Sequence, residues 1–404
     1  MRNVVFVAPF ALDATMRFSH GLTRLEDLRL LGVFQKAPTQ EEGAHFADVA
    51  VVEDALNPAA IASGVARLVA RHGEPYRITG ILEPLQTPLA IVRRHFGVPG
   101  PDPETAERFR EKALMKDTLR QNGLPCARHR LLTAAEEALP FVAQVGLPIV
   151  LKPPAGAGCR STWRIDDRGS LGRALGQLRP SPAAPVLAEE YLHGDEGSCE
   201  MVVVGGRVRA HSISHYLPGP LEVMRTEWIQ WVCLLPRDIG DPAHQQVLRL
   251  GERTVQVLGL EDGVAHMEWF RREDGTLAIG EIAARPPGGQ LTAMTGLVHD
   301  ADIYRTWARA VVDGAFDGPW NRSHAAATIF LRGVGAGRVA RVDGIDEVHR
   351  RLGSLVEEAR LPQPGAPKGD TYEGDGYIIV RHRDEAVVRE AVRLVLGTVR
   401  VRYG

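Results

Sequence analysis

The chain reads as an α/β N-terminal parallel-sheet domain followed by an α+β domain and a small α+β C-terminal lobe. Three observations predict this. Over the first hundred residues, short apolar runs rich in β-branched residues alternate with segments of helical period, the rhythm of a parallel sheet covered by helices. A seam rich in proline and glycine, GVPGPDPETAERF, then interrupts both periods. Beyond it, strand signals come in hairpin pairs separated by longer helical stretches, an α+β pattern. A length of 404 residues allows two to three domains at roughly 150 residues each, and the expected boundaries are 1–103, 104–322 and 323–404.

Along the first domain, NVVFVA at 3–8 is strand-like, and Leu22, Leu25, Leu28, Leu30 and Leu31 fall near helical spacing up to Gly32. ADVAVVED is a second strand signal, followed by the helical AAIASGVARLVARHG with a glycine stop at Gly73. ITGILE and TPLAIVRRHFG give a third pass. The ends of these strands, at Pro9, Asp54 and Glu83, are expected at the carboxyl edge of the sheet, where open α/β folds bind ligands. No GxGxxG follows the first strand, which disfavours a dinucleotide fold of the usual kind.

After Pro103, ETAERFREKALMKDTLRQNG reads as one amphipathic helix stopped by Gly123, with Lys112 and Lys116 a turn apart. LPIVLKPPAGAGCRSTWRI is a strand, a small-residue loop and a second strand; VLAEEYL is another strand signal. SCEMVVVGGRVRAHSISHYL predicts a hairpin turning at Gly205-Gly206. The helical run HQQVLRLGERTVQVLG precedes VAHMEWFRR and GTLAIGEIAARP, strands joined by a turn around Glu273, Asp274 and Gly275. DIYRTWARAVVDGAF reads as helical, and past residue 322 strands alternate with the helical IDEVHRRLG and DEAVVREAVRLVLGTV. PQPGAPKGDTYEGDG is a ligand-facing or flexible loop by composition.

Composition bounds the function. Forty-eight basic against 50 acidic residues leave a formal charge of -2, so no global field steers the chain to nucleic acid or to an anionic membrane, and no basic stripe interleaved with aromatics appears. Cys126, Cys159, Cys199 and Cys233 form no CxxC pair, which indicates neither a zinc site nor a disulfide framework. No apolar stretch reaches the ~20 residues of a membrane span, and the apolar N-terminal run is broken at Asp13 without a cleavage pattern, so a cytoplasmic location is expected. A homodimer is the usual expectation for such a chain. The lysines are Lys36, Lys112, Lys116, Lys152 and Lys368 in an arginine-rich sequence, which draws attention to positions where a compact ammonium is kept.

Two carboxylates stand out. If the turn spans 273–276, Glu268 and Glu281 lie opposite one another on adjacent antiparallel strands and face one cleft, where oxygen ligands suit Mg²⁺ or Mn²⁺. A one-residue slip would break the pairing. The competing reading is a pair of rim glutamates salt-bridged to Arg271, Arg272 or Arg285. Lys152 ends a strand and precedes Ala155, Gly156, Ala157 and Gly158, small residues that permit backbone N–H groups to approach phosphate oxygens; a plain turn is the alternative. The lysine precedes the glycines, so this is not a Walker A loop. Backbone groups around Glu190 to Leu192 suit an adenine edge, with Glu196 or Glu200 available to ribose hydroxyls.

Taken in order, Glu111-Lys112 before NGLP, LPIVLKP at 147–153, the glycine loop, AEEYL at 188–192, Glu196, Glu268 and EIAARPPGG at 281–289 resemble the ATP-grasp superfamily. The likeness is greatest to the carboxylate–amine ligase branch with the amino-acid (dipeptide) ligases, and more distant to biotin carboxylase and the purine-pathway carboxylases. It runs through essentially the whole chain and makes the middle domain an ATP-grasp domain with two subdomains around an ATP cleft. The resemblance implies that Lys112 and Lys152 contact phosphates, that Glu189, Glu190, Tyr191 and Leu192 form the adenine-binding linker, and that Glu196 is the ribose carboxylate. It further implies that Glu268 and Glu281 bind metal and that Arg285 faces the acyl phosphate or the substrate carboxylate. Where many members have Asn two residues after the second glutamate, this chain has Ala283, which removes one oxygen ligand.

The activity so implied is ATP-dependent joining of a small carboxylic acid or amino acid to an amine through an acyl phosphate, with ADP and phosphate released. The alternatives are an ATP-dependent carboxylase using bicarbonate and a non-catalytic nucleotide-binding protein. His211 and His215 share a strand face and either line the substrate cavity or are ordinary hydrogen-bonded residues; His266, two residues before Glu268, either orients a glutamate or does the same. Trp228 and Trp231 wall a substrate pocket or belong to the core, and Glu83 and the loop 361–376 are candidate substrate or lid contacts.

Overall fold

The computed structural model describes residues 1–156 and 161–404. The N-terminal sheet is four-stranded and parallel, in the order Asp48–Val51, Leu28–Phe34, Arg2–Ala8, Pro75–Thr79. One strand departs from the sequence reading: the leucines expected to continue a helix to Gly32 split, with the helix ending at Leu22 and LRLLGVF forming a strand. The reason is burial on both faces: Leu30 to Phe34 are buried without interruption, so the run carries no period of two. Glu83 therefore follows the fourth strand, not the third. The helices on this sheet start with side-chain caps where the sequence supplies them, as at Asn57, which accepts from the N–H groups of Ala59 and Ala60 ahead of Pro58–His72.

At the seam, Asp102 accepts from Thr105 N at 2.7 Å and opens the helix Pro103–Arg110. The single helix expected here is two. Glu111 has extended backbone (φ -83°, ψ 103°), and a second helix, Lys112–Gln121, begins after it. The break frees Lys112 N–H to donate to Pro154 O at 3.0 Å, tying the second helix to the start of the small-residue loop.

A small sheet in the order His129–Leu132, Val186–Glu190, Ile149–Lys152, Trp163–Ile165 carries that loop. The large sheet has eight strands, in the order Leu277–Ala283, Gly263–Arg271, Asp195–Val204, Arg207–Leu217, Val232–Leu235, Ala325–Leu331, Gly376–His382, Val356–Arg360. Strands from both sides of residue 322 thus hydrogen-bond into one sheet through the pairing of Val232–Leu235 with Ala325–Leu331. One face is closed by the long helix Pro242–Leu258 over Met201, Ile213, Met267 and Trp269. On the opposite face Val202, Ala210 and Val264 pack with Phe6, Phe18 and Trp307, so the N-terminal lobe is clamped to one end of the sheet. At the other end of that face the helix Leu291–His299 packs over Cys233, Ala326 and Ile379, and the stretch that carries Glu196, Tyr216 and Glu268 is a cavity floor. The thiols of Cys126, Cys199 and Cys233 are buried and free; Cys159 lies outside the described residues. No helix among the described residues is long and apolar enough to cross a membrane.

Candidate active site

The open face of the large sheet owes its chemistry to strand alternation. Antiparallel register sets Phe270 beside Glu196, Glu268 beside Ser198 and His266 beside Glu200 on neighbouring strands, all on the same face. On the other flank Glu268 is directly opposite Glu281. That opposition depends on an irregularity: Trp269 pairs with Ile279, so Gly280 is an extra residue, a β-bulge. Without it the turn would pair Glu268 with Gly280 and send the Glu281 side chain to the wrong face. Glycine is required there, because a Cβ on residue 280 would lie 2.7 Å from the Phe270 ring.

These groups open into a cavity of about 1340 Å³, lined also by Leu12, Ala14, Thr15 and Phe18 at the start of the helix Asp13–Leu22 and by Ile81–Pro84, at the carboxyl edge of the N-terminal sheet. Pro9 and Asp54 do not reach it. The cavity exceeds the roughly 300–1,000 Å³ usual for one small-molecule ligand and has room for more than one.

Two lysines enter from the small-sheet side. Lys112 Nζ lies 2.8 Å from Glu281 Oε1 and donates to Gly156 O at 2.7 Å, joining the acidic strand to the small-residue loop. Lys152 Nζ lies 2.8 Å from Glu189 Oε2. Neither Glu268 nor Glu281 pairs with Arg271, Arg272 or Arg285 among the described residues; Arg272 binds Glu190 instead. Gly156 lines the cavity, whereas Gly158 lies outside the described residues.

The AEEYL segment divides its side chains. The Glu189 carboxylate is buried between Lys116 and Lys152, at 3.2 and 2.8 Å. Burial alone would raise its pKa, but the two ammonium groups bring it down to about 2, and Lys152 is raised in return. Glu190 turns outward to Arg128 and Arg272 at 2.6 and 3.0 Å. What these two residues offer a ligand is therefore backbone. Leu192 packs with Ala127, Ala278 and Phe270, an apolar slot at the cavity wall. Burial pushes the Glu196 carboxyl well above the ordinary range, with Glu268 adding to the effect and Lys152 opposing it. Glu200, the other candidate for ribose, is committed elsewhere: His266 Nδ1 is 2.9 Å from its Oε1.

His266 thereby bridges two carboxylates, with Nε2 3.8 Å from Glu268 Oε1. Burial would lower its pKa; Glu200 and Glu268 raise it to about 9. Burial likewise disfavours ionisation of Glu268, but the His266, Lys152 and Lys112 charges hold its pKa below the ordinary value. Arg285 donates through Nε and Nη2 to Glu83 Oε2 at 3.1 and 2.7 Å, and through Nη1 to Pro286 O. Glu83 is 5 % exposed, so this pair joins the N-terminal lobe to the cavity from below.

Several expected contacts are not made. His211 and His215 sit on the opposite sheet face, the one covered by Pro242–Leu258, because they alternate with Ser212 and Ser214; His215 meets His244 at 2.9 Å and the edge of the Trp269 ring. Trp228 is exposed, while Trp231 is buried against Tyr216, Phe330 and Tyr372 with part of it on the cavity wall. From the loop 361–376, Thr371, Tyr372 and Glu373 line the cavity.

A family model described as the ATP-grasp domain matches residues 117–296, the segment that contains the bulged acidic strands, the AEEYL segment and Lys152. Residues 117–296 are an ATP-grasp domain. Among proteins similar in sequence is an L-arginine-specific L-amino acid ligase of Bacillus subtilis, 28% identical over 257 residues, which are 62% of this chain and 61% of that protein. The match thus spans less than two thirds of that relative. Among solved structures, an L-amino acid ligase from Bacillus licheniformis superposes with a TM-score of 0.80 at 18% identity, covering 100% of this chain and 99% of the other. The biotin carboxylase domain of the Hydrogenobacter thermophilus 2-oxoglutarate carboxylase, in complex with MgADP, ADP and bicarbonate, superposes with a TM-score of 0.67 at 15% identity, covering 99% and 90%.

The site residue that sequence reasoning overlooked is Lys116. It is fully buried, pairs with Glu189, and donates to the carbonyl of the bulge residue Gly280. A lysine one turn after Lys112 in a lysine-poor chain was the available signal.

Proposed function

We propose that the chain is an ATP-dependent carboxylate–amine ligase that forms an amide or peptide bond and releases ADP and phosphate. What its kinships support in common is an ATP-grasp enzyme acting on a carboxylate, an amine or bicarbonate; amide formation is the further step. The observation that carries it is the gathering, in one cavity large enough for several ligands, of two lysines, two opposed glutamates and an arginine fork anchored on Glu83.

In this reading the apolar slot at Leu192 and Phe270 takes the adenine, the backbone of Glu190 to Leu192 meets its polar edge, and Glu196 is left to the ribose hydroxyls. Lys112 and Lys152 supply point charge to the phosphates. No group of three His, Cys, Asp or Glu among the described residues gathers as a self-sufficient cation site. Glu268 and Glu281 therefore fit a Mg²⁺ or Mn²⁺ that completes its shell with phosphate oxygens and water, as hard cations on nucleotides do. Ala283, opposite His266, adds no oxygen to that set. The bound metal would offset the repulsion between a carboxylate and a triphosphate.

A substrate carboxylate oxygen attacks the γ-phosphorus, and the bond to the ADP oxygen breaks. The amine nitrogen then attacks the acyl carbon, phosphate leaves and the amine loses a proton. Arg285, held planar by Glu83 and the Pro286 carbonyl, is oriented to bind the carboxylate and to stabilise the charge that develops on it.

A second reading, carboxylation with bicarbonate, is favoured by the likeness to a carboxylase fold that holds that anion. ADP release from Mg·ATP, screened with pooled L-amino acids and small carboxylic acids against bicarbonate, separates the two. Release that needs an acid and an amine and disappears in Glu281→Ala supports the ligase; release that needs bicarbonate and no other acid overturns it.

A further inference from the structure

The cavity carboxylates have partners with one kind of exception. Glu83 holds Arg285, Glu189 holds two lysines, Glu190 two arginines, Glu281 Lys112, and Glu268 faces His266. Glu196, Glu222 and Glu373 have no ion pair among the described residues; Glu222 is exposed, and Glu196 already has a role in the proposed nucleotide site. Glu373 has none. It lies in the loop between Val356–Arg360 and Gly376–His382 and lines the cavity; burial raises its pKa, opposed by the Gly289 backbone and the Arg360 charge.

Its neighbours are aromatic. Trp231 and Tyr372 line the same part of the cavity, with ring centroids 4.6 Å apart and planes at 75°. Gly289, at the same corner, has a φ of 59° that favours glycine, and a Cβ there would touch the Trp231 ring at 3.4 Å. A partly buried carboxylate with no cation in contact, lining the same cavity as two electron-rich rings, is costly without a ligand and is complementary to a positive charge. Gly289 is four residues beyond Arg285, which limits the separation of their Cα atoms to about 14 Å. Arg285 and Glu373 line the same cavity.

We propose that Glu373, walled by Trp231 and Tyr372, is the recognition carboxylate for a cationic nitrogen of the substrate, an ammonium or guanidinium held at the end of the cavity away from the phosphates. The inference rests on the ligase reading for which substrate brings that nitrogen. It has two possible sources, the α-ammonium of an amino acid or a cationic side chain. The carboxylate and the rings hold the nitrogen through charge and cation–π attraction, and no covalent step is involved.

The test is calorimetric binding of L-lysine, L-norleucine, 6-aminohexanoate and hexanoate to the wild-type chain and to Glu373→Gln, in the presence of a non-hydrolysable ATP analogue. The four ligands share one carbon skeleton and differ only in which ammonium groups they carry. Glu373→Gln is expected to weaken the recognised amines at least ~10-fold and to leave hexanoate and the nucleotide analogue unchanged. Loss for lysine and 6-aminohexanoate assigns the side-chain nitrogen; loss for lysine and norleucine assigns the α-nitrogen. Glu373→Asp, which keeps the charge, is expected to retain most of the affinity, and a melting curve matching the wild type excludes misfolding. The proposal is overturned if the wild type binds none of the three amines, if none of them weakens in Glu373→Gln, or if hexanoate weakens equally. ADP release measured on the same proteins keeps the two readings apart: Glu373-dependent amine binding without acid-stimulated turnover removes the ligase and leaves the cation site, and turnover with amines that is indifferent to Glu373 does the reverse.

Discussion

Glu189→Gln removes one charge from a buried cluster of three and leaves the side-chain volume nearly unchanged. The carboxyl pKa is held at about 2 against an ordinary 4.5, and roughly 2.5 units at about 1.36 kcal/mol each correspond to about 3 kcal/mol of stability at pH 7. The group is 5 % exposed, so solvent screening does not reduce this figure much. A folded-state pKa below the unfolded one contributes stability that is fully present above pH 4.5 and is lost as the pH falls toward 2. The gap between wild type and variant should therefore be about 3 kcal/mol at neutral pH and about half that at pH 3. Because a chain of several lobes need not unfold in one step, the readout is hydrogen exchange of the amides in Val186–Glu190, expected to lose about 100-fold protection at pH 7. Glu190→Gln is the internal control: its ion pairs with half-exposed arginines are each worth about 1 kcal/mol or less. Equal losses in the two variants, or a Glu189 gap that does not shrink on acidification, would refute the electrostatic account of this cluster.

Gly280→Ala forces a Cβ into the Phe270 ring at the bulge; a destabilisation of about 1–3 kcal/mol is expected, read as a lowered melting temperature. Lys112→Met breaks the 2.8 Å pair with Glu281, and acid-stimulated ADP release should fall at least ~100-fold in steady-state assays while the melting curve moves little. Arg285→Lys keeps the charge but loses the fork on Glu83; kcat/KM for the carboxylate substrate is expected to fall by a factor of about 10–100 with KM for ATP unchanged.

The site was legible where its residues act through local pattern. The Glu268–Glu281 opposition was expected from a regular turn at 273–276; the structure pairs Arg271 with Leu277, one residue off that register, and the opposition is restored because Gly280 supplies an extra residue, an isolated glycine in a strand being the sequence mark of a bulge. Lys116 was visible as a spacing and not as a function, since its partners, Glu189 and the Gly280 carbonyl, come from segments 70 and more residues away. The helix break at Glu111 had no glycine or proline to announce it. The two histidines on Arg207–Leu217 illustrate the reverse: their shared face was correctly deduced from alternation, yet which face meets the cavity is decided by where Pro242–Leu258 packs. In the N-terminal sheet, LRLLGVF escaped because a strand covered on both sides has no amphipathic period.

The scarcity of lysine has a practical consequence for watching the cleft at work. Of the five amine side chains in the sequence, Lys112 and Lys152 line the cleft, Lys116 is fully buried against Glu189, and Lys36 and Lys368 are away from it. An amine-selective acylating reagent thus adds quickly to the terminal amine and those two outlying positions and slowly to the rest, so the adduct ladder in an intact-mass spectrum becomes a direct count of how far the cleft is open.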